Sequence, residues 1–212
     1  MIKILTKADR NACPALFDDM YRARARHFHD RLGWAVTVRD GCEIDRYDEV
    51  EDPVYIMAVD RVGRATGSLR ILPTTGSTML KAEFADFFNE PVDIESPTAW
   101  ECTRFCVHPP TDDNGENDSR LSGLFSTELL AGLCDLCISS GIEQVIGLYD
   151  SRMTRVYARI GWSPAVLARS RPEVGDLIVG IWDATAEVSR RLNTRLLASA
   201  PMQDRMRADK AA

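Results

Sequence analysis

Basic residues do not dominate this 212-residue chain: 26 Lys and Arg stand against 32 Asp and Glu, a formal charge of -6. A protein that grips a nucleic-acid backbone usually presents a basic face, and no helix-turn-helix pattern is visible either. A nucleic-acid partner is therefore not expected. No apolar run approaches the roughly 20 residues that span a bilayer. The opening Met1-Ile-Lys-Ile-Leu-Thr-Lys7 is also too short and too polar for a signal peptide. No membrane partner is expected, and the expected location is the cytoplasm. Repeats, low-complexity tracts and linkers are missing too, so one domain should occupy residues 1–200, followed by a frayed polar tail at 201–212.

Histidine is scarce, with three in the chain. None stands beside Cys102 or Cys106 as a base for a nucleophilic thiol; His108 is the nearest and falls at a strand end. All six cysteines read as free thiols in a reducing compartment. Cys134 and Cys137 have CxxC spacing, yet they sit in an apolar helical pattern with no second ligand pair, so no metal site is expected.

What is present is an ordinary globular composition, 45% hydrophobic and 27% charged, enough to bury a core. Residues 10–32 have helical periodicity, with Cys13, Leu16, Phe17, Met20, Tyr21 and Arg24 near one face. Residues 33–53 lack a period. Residues 54–60 and 65–72 read as a hairpin turning at Gly63. A short helix is expected over 82–88, a strand over 100–107 ended by Pro109-Pro110, and a polar loop over 109–119. An apolar helix over 120–140 stops at Gly141. Then come a strand at 144–149, a helix at 151–160 closed by Gly161, strands at 165–168 and 177–183, and a last helix at 184–197. This order predicts an α/β fold: a mixed central sheet with helices on both faces.

One ordered set of residues is more specific. The chain reads Arg24-x3-Phe28-x5-Trp34, then Glu43-x-Asp45-Arg-Tyr-Asp48, then Gly67-Ser-Leu-Arg70-Ile-Leu-Pro-Thr. Met79-Leu-x3-Phe84 and Trp100-Glu101-Cys-Thr103-Arg104-Phe105 follow. The set resembles the LuxI-type autoinducer synthases, which make acyl-homoserine lactones, most strongly over residues 20–107. The second half resembles the GNAT acyltransferase fold to which those synthases are related: Val145-Ile-Gly-Leu-Tyr149, then Val156-Tyr157-Ala-Arg-Ile-Gly161-Trp162. Arg120 and Gly123 fit the pyrophosphate turn of acetyl-CoA-using members, but Phe125 stands where a small residue belongs. That departure suits a different thioester donor.

The resemblance implies that the amine of S-adenosylmethionine attacks an acyl thioester, after which the methionyl carboxylate displaces methylthioadenosine to close the lactone. No cofactor is implied: S-adenosylmethionine is a substrate, and the acyl group arrives on a phosphopantetheine thioester. The expected partner is an acyl carrier protein, with acyl-CoA as the alternative donor.

The residue types suit these demands. The protonated amine needs a base. Glu101, set among apolar strand residues that would raise its pKa, is the candidate; the alternative is a structural carboxylate paired with Arg104 or Arg70. Asp45 and Asp48 suit the ammonium and sulfonium, and Arg24 and Arg104 suit the carboxylate or hold the acids. With Arg70 these charges could equally form a buried ion-pair network. Phe28 and Trp34 can bury the adenosyl ring or face the sulfonium, or simply pack in the core. Thr103, two residues from Glu101, shares its strand face, and backbone amides near 103–107 are expected to stabilise the tetrahedral intermediate. Phe105 is assigned to substrate binding and, like Leu121 and Val156, to the acyl tunnel. The other wall candidates are Met79, Trp100, Leu124, Phe125, Leu148 and Met153, each of which could be plain core. The strand at 144–149 lacks the Thr that in this family often accompanies 3-oxo chains, so a 3-oxo product is not expected. Arg152, Arg155 and Arg159, followed by Arg169 and Arg171, form a candidate dock for an acidic carrier, or a solvated helix face.

Competing readings are a GNAT N-acetyltransferase using acetyl-CoA and a sensor that binds S-adenosylmethionine or a lactone without turnover. The imperfect Arg120–Phe125 turn and the Arg24–Asp48 block argue against the first, and the retained Glu101, Arg70 and Arg104 against the second.

Overall fold

Two-residue alternation builds the sheet. In β4 (Val54–Val59), Tyr55, Met57 and Val59 turn to one face and Ile56 and Ala58 to the other, and all five are buried. A strand buried on both faces reads as a continuous apolar run, which is why this segment was legible. The computed structural model describes residues 1–108 and 119–208. Seven strands lie in the order β1-β4-β5-β6-β7-β9-β8: β1 (Ile2–Thr6), β5 (Ala65–Pro73), β6 (Ala99–Val107), β7 (Gln144–Asp150), β8 (Ala165–Arg169) and β9 (Leu177–Asp183) join β4. All neighbours are antiparallel except β6 and β7. A two-stranded ribbon, β2 (Val38–Arg39) with β3 (Cys42–Glu43), stands apart.

One face carries α4 (Ser119–Ser140), α5 (Met153–Ile160) and α6 (Ala186–Ala208). Leu129, Leu130, Leu133, Cys134 and Cys137 of α4 pack with Ile56, Leu69 and Ile71, and Tyr157 and Ile160 of α5 extend the same core. Gly161 sits at φ +93° just past α5, the left-handed helix stop its sequence position predicts. On the opposite face, α1 (Pro14–Arg24) lays Leu16, Phe17, Met20 and Tyr21 on Tyr55, Met57 and Val59. Beside it the segment after β5 covers the sheet with Leu80 and Phe88, against Ile146 and Val179.

Several expectations shift. β1 was not foreseen. The first helix ends as α1 at Arg24 and continues through a π-helical turn, Ala25–Arg31. The helix placed at 82–88 is the single turn α3 (Met79–Ala82) followed by a 3-10 turn at Ala85–Phe87. A second single turn, α2 (Arg46–Glu49), falls in the stretch without a period. The backbone of α6 is helical to Ala208, well into the expected frayed tail. Residues 209–212, most of the expected loop at 109–119 and the Arg120 side chain lie outside the described residues. The sequence-based exclusion of a membrane-length helix needs correction: Leu121–Ser140 is long and apolar enough by length and composition. Half of it is buried inside the protein, and its apolar character serves packing against the sheet. All six cysteines are free thiols, and burial pushes the Cys134 thiol up to about 11 and the Cys137 thiol up to about 12.

Candidate active site

Three arginines and three acids meet beneath α1, on the sheet face away from α4. Arg24, at the end of α1, donates both terminal nitrogens to Asp48 (3.0 and 2.9 Å) and its Nε to Glu43 (2.6 Å). Arg70, in mid-β5, holds both oxygens of Asp45 (2.6 and 2.9 Å), lies 2.9 Å from Asp48, and donates its Nε to Thr103 (3.0 Å). Arg104 on β6 donates twice to Glu43 (3.1 and 2.9 Å) and lies 3.0 Å from Asp45. The Tyr55 hydroxyl donates to Asp48 at 2.8 Å. Three cations thus balance three anions. Without that balance a buried charge would carry a desolvation penalty of several kcal/mol.

Local structure aims these groups. Asp45 caps α2, accepting from the amides of Tyr47 (3.0 Å) and Asp48 (3.3 Å), while Asp48 accepts from the Asp45 amide (3.0 Å). This reciprocal cap turns both carboxylates toward the sheet. On β6, Thr103 pairs with Arg70 and Cys106 with Ser68, so Arg104 and Phe105 together oppose Leu69. The bulge puts Arg104 at φ +53°, where a non-glycine residue carries roughly 1–3 kcal/mol of strain. Its effect is to put Arg104 on the same face as Thr103 and Arg70, against strict alternation.

Glu101 stands apart from these ion pairs. Its two oxygens accept from the amides of Met79 (2.7 Å) and Leu80 (2.9 Å), the first residues of α3. It is only 1% exposed. Burial pushes its pKa up to about 7, against the pull of those amides and of Arg70 and Arg104. Asp48 behaves oppositely: it is as buried, yet Arg24 and Arg70 outweigh burial and hold it well below the usual carboxylate range. Two buried carboxylates in one site are thereby pushed apart, one toward acid–base exchange near neutrality and one toward permanent charge.

The parallel pairing of β6 with β7 covers only Ala99↔Gln144, Trp100↔Val145 and Glu101↔Ile146. Beyond Glu101 the strands part, leaving the β6 backbone without a β7 partner. At the parting, a Cβ on Gly147 would stand 3.3 Å from the Cys102 carbonyl. The wall of the site is aromatic: Phe28 is buried, its ring 5.2 Å from that of Trp34 and 5.3 Å from the Arg104 guanidinium. Trp34 is 39% exposed. Within the network Asp45, at 18%, is the most open carboxylate.

Residues 10–191 match the autoinducer synthase family. The chain belongs to that family. It is 56% identical over 196 residues to an acyl-homoserine-lactone synthase of Rhizobium etli, covering 92% of this chain and 90% of the relative. Its fold superposes with a TM-score of 0.78, at 23% identity, on a CoA-dependent acyl-homoserine lactone synthase solved with SAM and isopentyl-CoA (92% of this chain, 89% of that one). A putative N-acetyltransferase from Lactobacillus plantarum shares the fold more distantly, with a TM-score of 0.55 at 11% identity over 87% of this chain and 99% of that one. The protein is an acyl-homoserine-lactone synthase, an acyltransferase built on a GNAT-like sheet.

In this autoinducer synthase the residues selected from sequence for catalysis come together: Glu101, Asp45, Asp48 and Arg70, with Arg24, Thr103 and Arg104 among them and Phe28 and Trp34 at the rim. Phe105 does not join them. The bulge sends it to the opposite face, against the α4 core. The acyl-wall candidates divide as well. Trp100 and Met153, like Val156, pack on the α4–α5 face, whereas Leu148 lies on the opposite face with Leu80. Met79 sits inside the charge network, its sulfur 3.4 Å from both Arg70 and Arg104. Leu124 is buried and Phe125 partly buried in the first turns of α4. Arg155 and Arg159 are exposed on α5. Arg152 precedes the helix and is chelated by Asp150 (2.7 and 2.7 Å). Two arginines from α6 join this basic surface: Arg195 donates to the Arg159 carbonyl, and Arg191 to that of Gly161 (3.1 Å).

Glu43 carries no assigned role in the sequence motif, although it links Arg24 to Arg104. Charge balance is the signal that finds it: three arginines against two aspartates require a third anion. The Tyr55 hydroxyl, which braces Asp48, left no signal in a strand that reads as buried apolar.

Proposed function

We propose that this synthase acylates the amine of S-adenosylmethionine from an acyl carrier protein thioester, with Glu101 as the base, and closes the lactone with loss of methylthioadenosine. The observation that carries the reading is Glu101 itself: a buried carboxylate, raised to about 7, on the strand where the sheet opens. An ammonium gives up its proton most readily to a base whose pKa lies near the working pH. Asp45, the most open carboxylate of the network, suits the cationic end of the substrate, and Arg104 its carboxylate. Trp34 on Phe28 suits the adenosyl ring and sulfonium. Backbone amides of β6 beyond Glu101, where the pairing with β7 ends, suit the oxyanion. The substrates supply all the reacting groups, so no resident cofactor is required.

The donor is assigned to a carrier protein on charge. Carrier proteins are acidic, and Arg155, Arg159, Arg191 and Arg195 gather cations on one surface. The acyl chain is assigned to the α4–α5 face between Trp100, Met153, Leu124 and Phe125, with a 3-position that is not keto. Reversing Arg155 and Arg159 to Glu tests the dock. The KM for acyl carrier protein should rise about tenfold or more while the KM for the same acyl group on CoA stays put. Equal effects on both donors would remove the dock. A 3-oxo product by mass spectrometry would overturn the assignment at the 3-position.

A further inference from the structure

Acylation of an ammonium liberates a proton that the products do not keep. The ammonium carries three protons and the amide nitrogen one; one of the two released restores the departing thiolate to a thiol, and the other goes to the base. Lactone closure adds none, because the carboxylate oxygen forms its bond to carbon as the carbon–sulfur bond breaks and the sulfonium takes the electron pair. The base must therefore shed one proton in every turnover.

On the substrate side the charges that act on the Glu101 carboxylate are the Arg70 and Arg104 guanidiniums, which do not deprotonate and so cannot relay a proton. On its other flank lies a hollow of about 10 Å³, lined by Thr74, Thr78, Leu80, Lys81, Ile94 and Ile146 as well as Glu101. That volume accommodates one water molecule, which needs two to four polar partners. Of the residues around it, Glu101, Thr74, Thr78 and Lys81 have polar side chains, and Leu80, Val92, Ile94 and Ile146 are apolar. Lys81 is 25% exposed at the mouth, where it donates to the Thr74 carbonyl (2.9 Å) and pairs with Glu95 (3.2 Å) and Asp93 (3.4 Å), both open to solvent. Lys81 thus joins the hollow that Glu101 lines to two surface anions.

We propose that this hollow is the proton exit of the synthase: one water held between Glu101 and Lys81 takes the proton from the carboxyl group as it hands one of its own to the Lys81 Nζ, which gives one to Asp93, Glu95 or bulk water, so that water and ammonium end as they began. The assignment rests on Glu101 being the base. A carboxyl group poised near neutrality can both accept the substrate proton and release it to water. The charged groups around Glu101 are Arg70 from β5, Arg104 from β6 and Lys81 from α3, with Asp93 and Glu95 behind Lys81.

The experiment separates the first turnover from those that follow. Ile94→Phe fills the hollow from its rim, and Lys81→Met removes the ammonium without adding bulk. Quenched-flow formation of the amide is followed with purified enzyme, S-adenosylmethionine and an acyl thioester. Both variants should form one equivalent of amide at the wild-type rate and then slow about tenfold or more, with an unchanged KM for S-adenosylmethionine. A merely structural role would slow both phases together. Unchanged steady-state turnover in Lys81→Met, or a first turnover slowed as much as the later ones, overturns the exit even if Ile94→Phe does not fold. Glu101→Gln is the separate control. If its first turnover runs at the wild-type rate, the base assignment fails; if it is abolished while Lys81→Met shows no burst, only the exit fails.

Discussion

Replacing Glu101 by Gln should make the protein's stability respond differently to pH, by an amount the structure sets. The carboxyl group is essentially unexposed and its pKa is raised from 4.5 to about 7, chiefly by burial. Below pH 4.5 it is protonated in both the folded and the unfolded chain and contributes no pH dependence. As pH rises toward 7, the unfolded chain releases the proton and the folded protein retains it, so folding loses stability. Above 7 the loss is complete, at about 3 kcal/mol for this displacement. Glutamine does not titrate. It also cannot accept from both the Met79 and Leu80 amides, so a constant cost of about 1–3 kcal/mol is superimposed. The difference between the two proteins isolates the ionisation, because every other titrating group is common to both. Urea denaturation at pH 4.5, 5.5, 6.5, 7.5 and 8.5 should show the variant gaining about 3 kcal/mol on the wild type across the series. In melting temperature the gain is roughly 6–12 °C for a chain of this size. A difference that stays flat within about 1 kcal/mol would refute the claim that burial holds this carboxyl group protonated. The placement is costly to the fold and fits the proposed role of Glu101.

Asp48→Asn should lower stability by about 3–5 kcal/mol at neutral pH, because Arg24 and Arg70 are left with an uncompensated buried charge. Since Asp48 is held below its ordinary value, that advantage of the wild type is present above the unfolded carboxylate range and fades as pH falls below about 4, which acid denaturation of the two proteins can compare. Trp34→Ala should raise the KM for S-adenosylmethionine with a melting point within about 2 °C of wild type, because the ring is over a third exposed and lies at the rim; a large melting shift with an unchanged KM would return Trp34 to the core. Gly161→Ala should cost about 1–2 kcal/mol in urea denaturation, since a side chain is forced into the left-handed region and its Cβ crowds Arg191.

The chain's own periodicities determined a good deal. The β4–β5 hairpin, α5 with its Gly161 stop and the buried face of α1 follow from local patterning and turn chemistry, which act over a few residues and are written into them. The ordered spacing from Arg24 to Arg104 identified the family and most of the charged site. β1 escaped because its short Ile-Lys-Ile-Leu-Thr run alternates too briefly to stand out from a loop. Which face a residue occupies was a different matter. Strict alternation would separate Thr103 from Arg104, and a bulge paired against Leu69, invisible in either strand alone, put both on one face and sent Phe105 to the other. The acyl-wall candidates divided because apolar strand residues such as Trp100 and Leu148 look alike in the sequence but face opposite layers. Glu43 acquired its role only when Arg24 and Arg104, 80 positions apart in the chain, were brought to the same carboxylate. The raised pKa of Glu101 likewise depends on burial, and burial is a property of everything packed around a group. Residue types and spacings specify what chemistry is available; which groups share a face, and which are shut away from water, is decided by pairing between distant segments, and that is what raises the Glu101 carboxyl group toward neutrality.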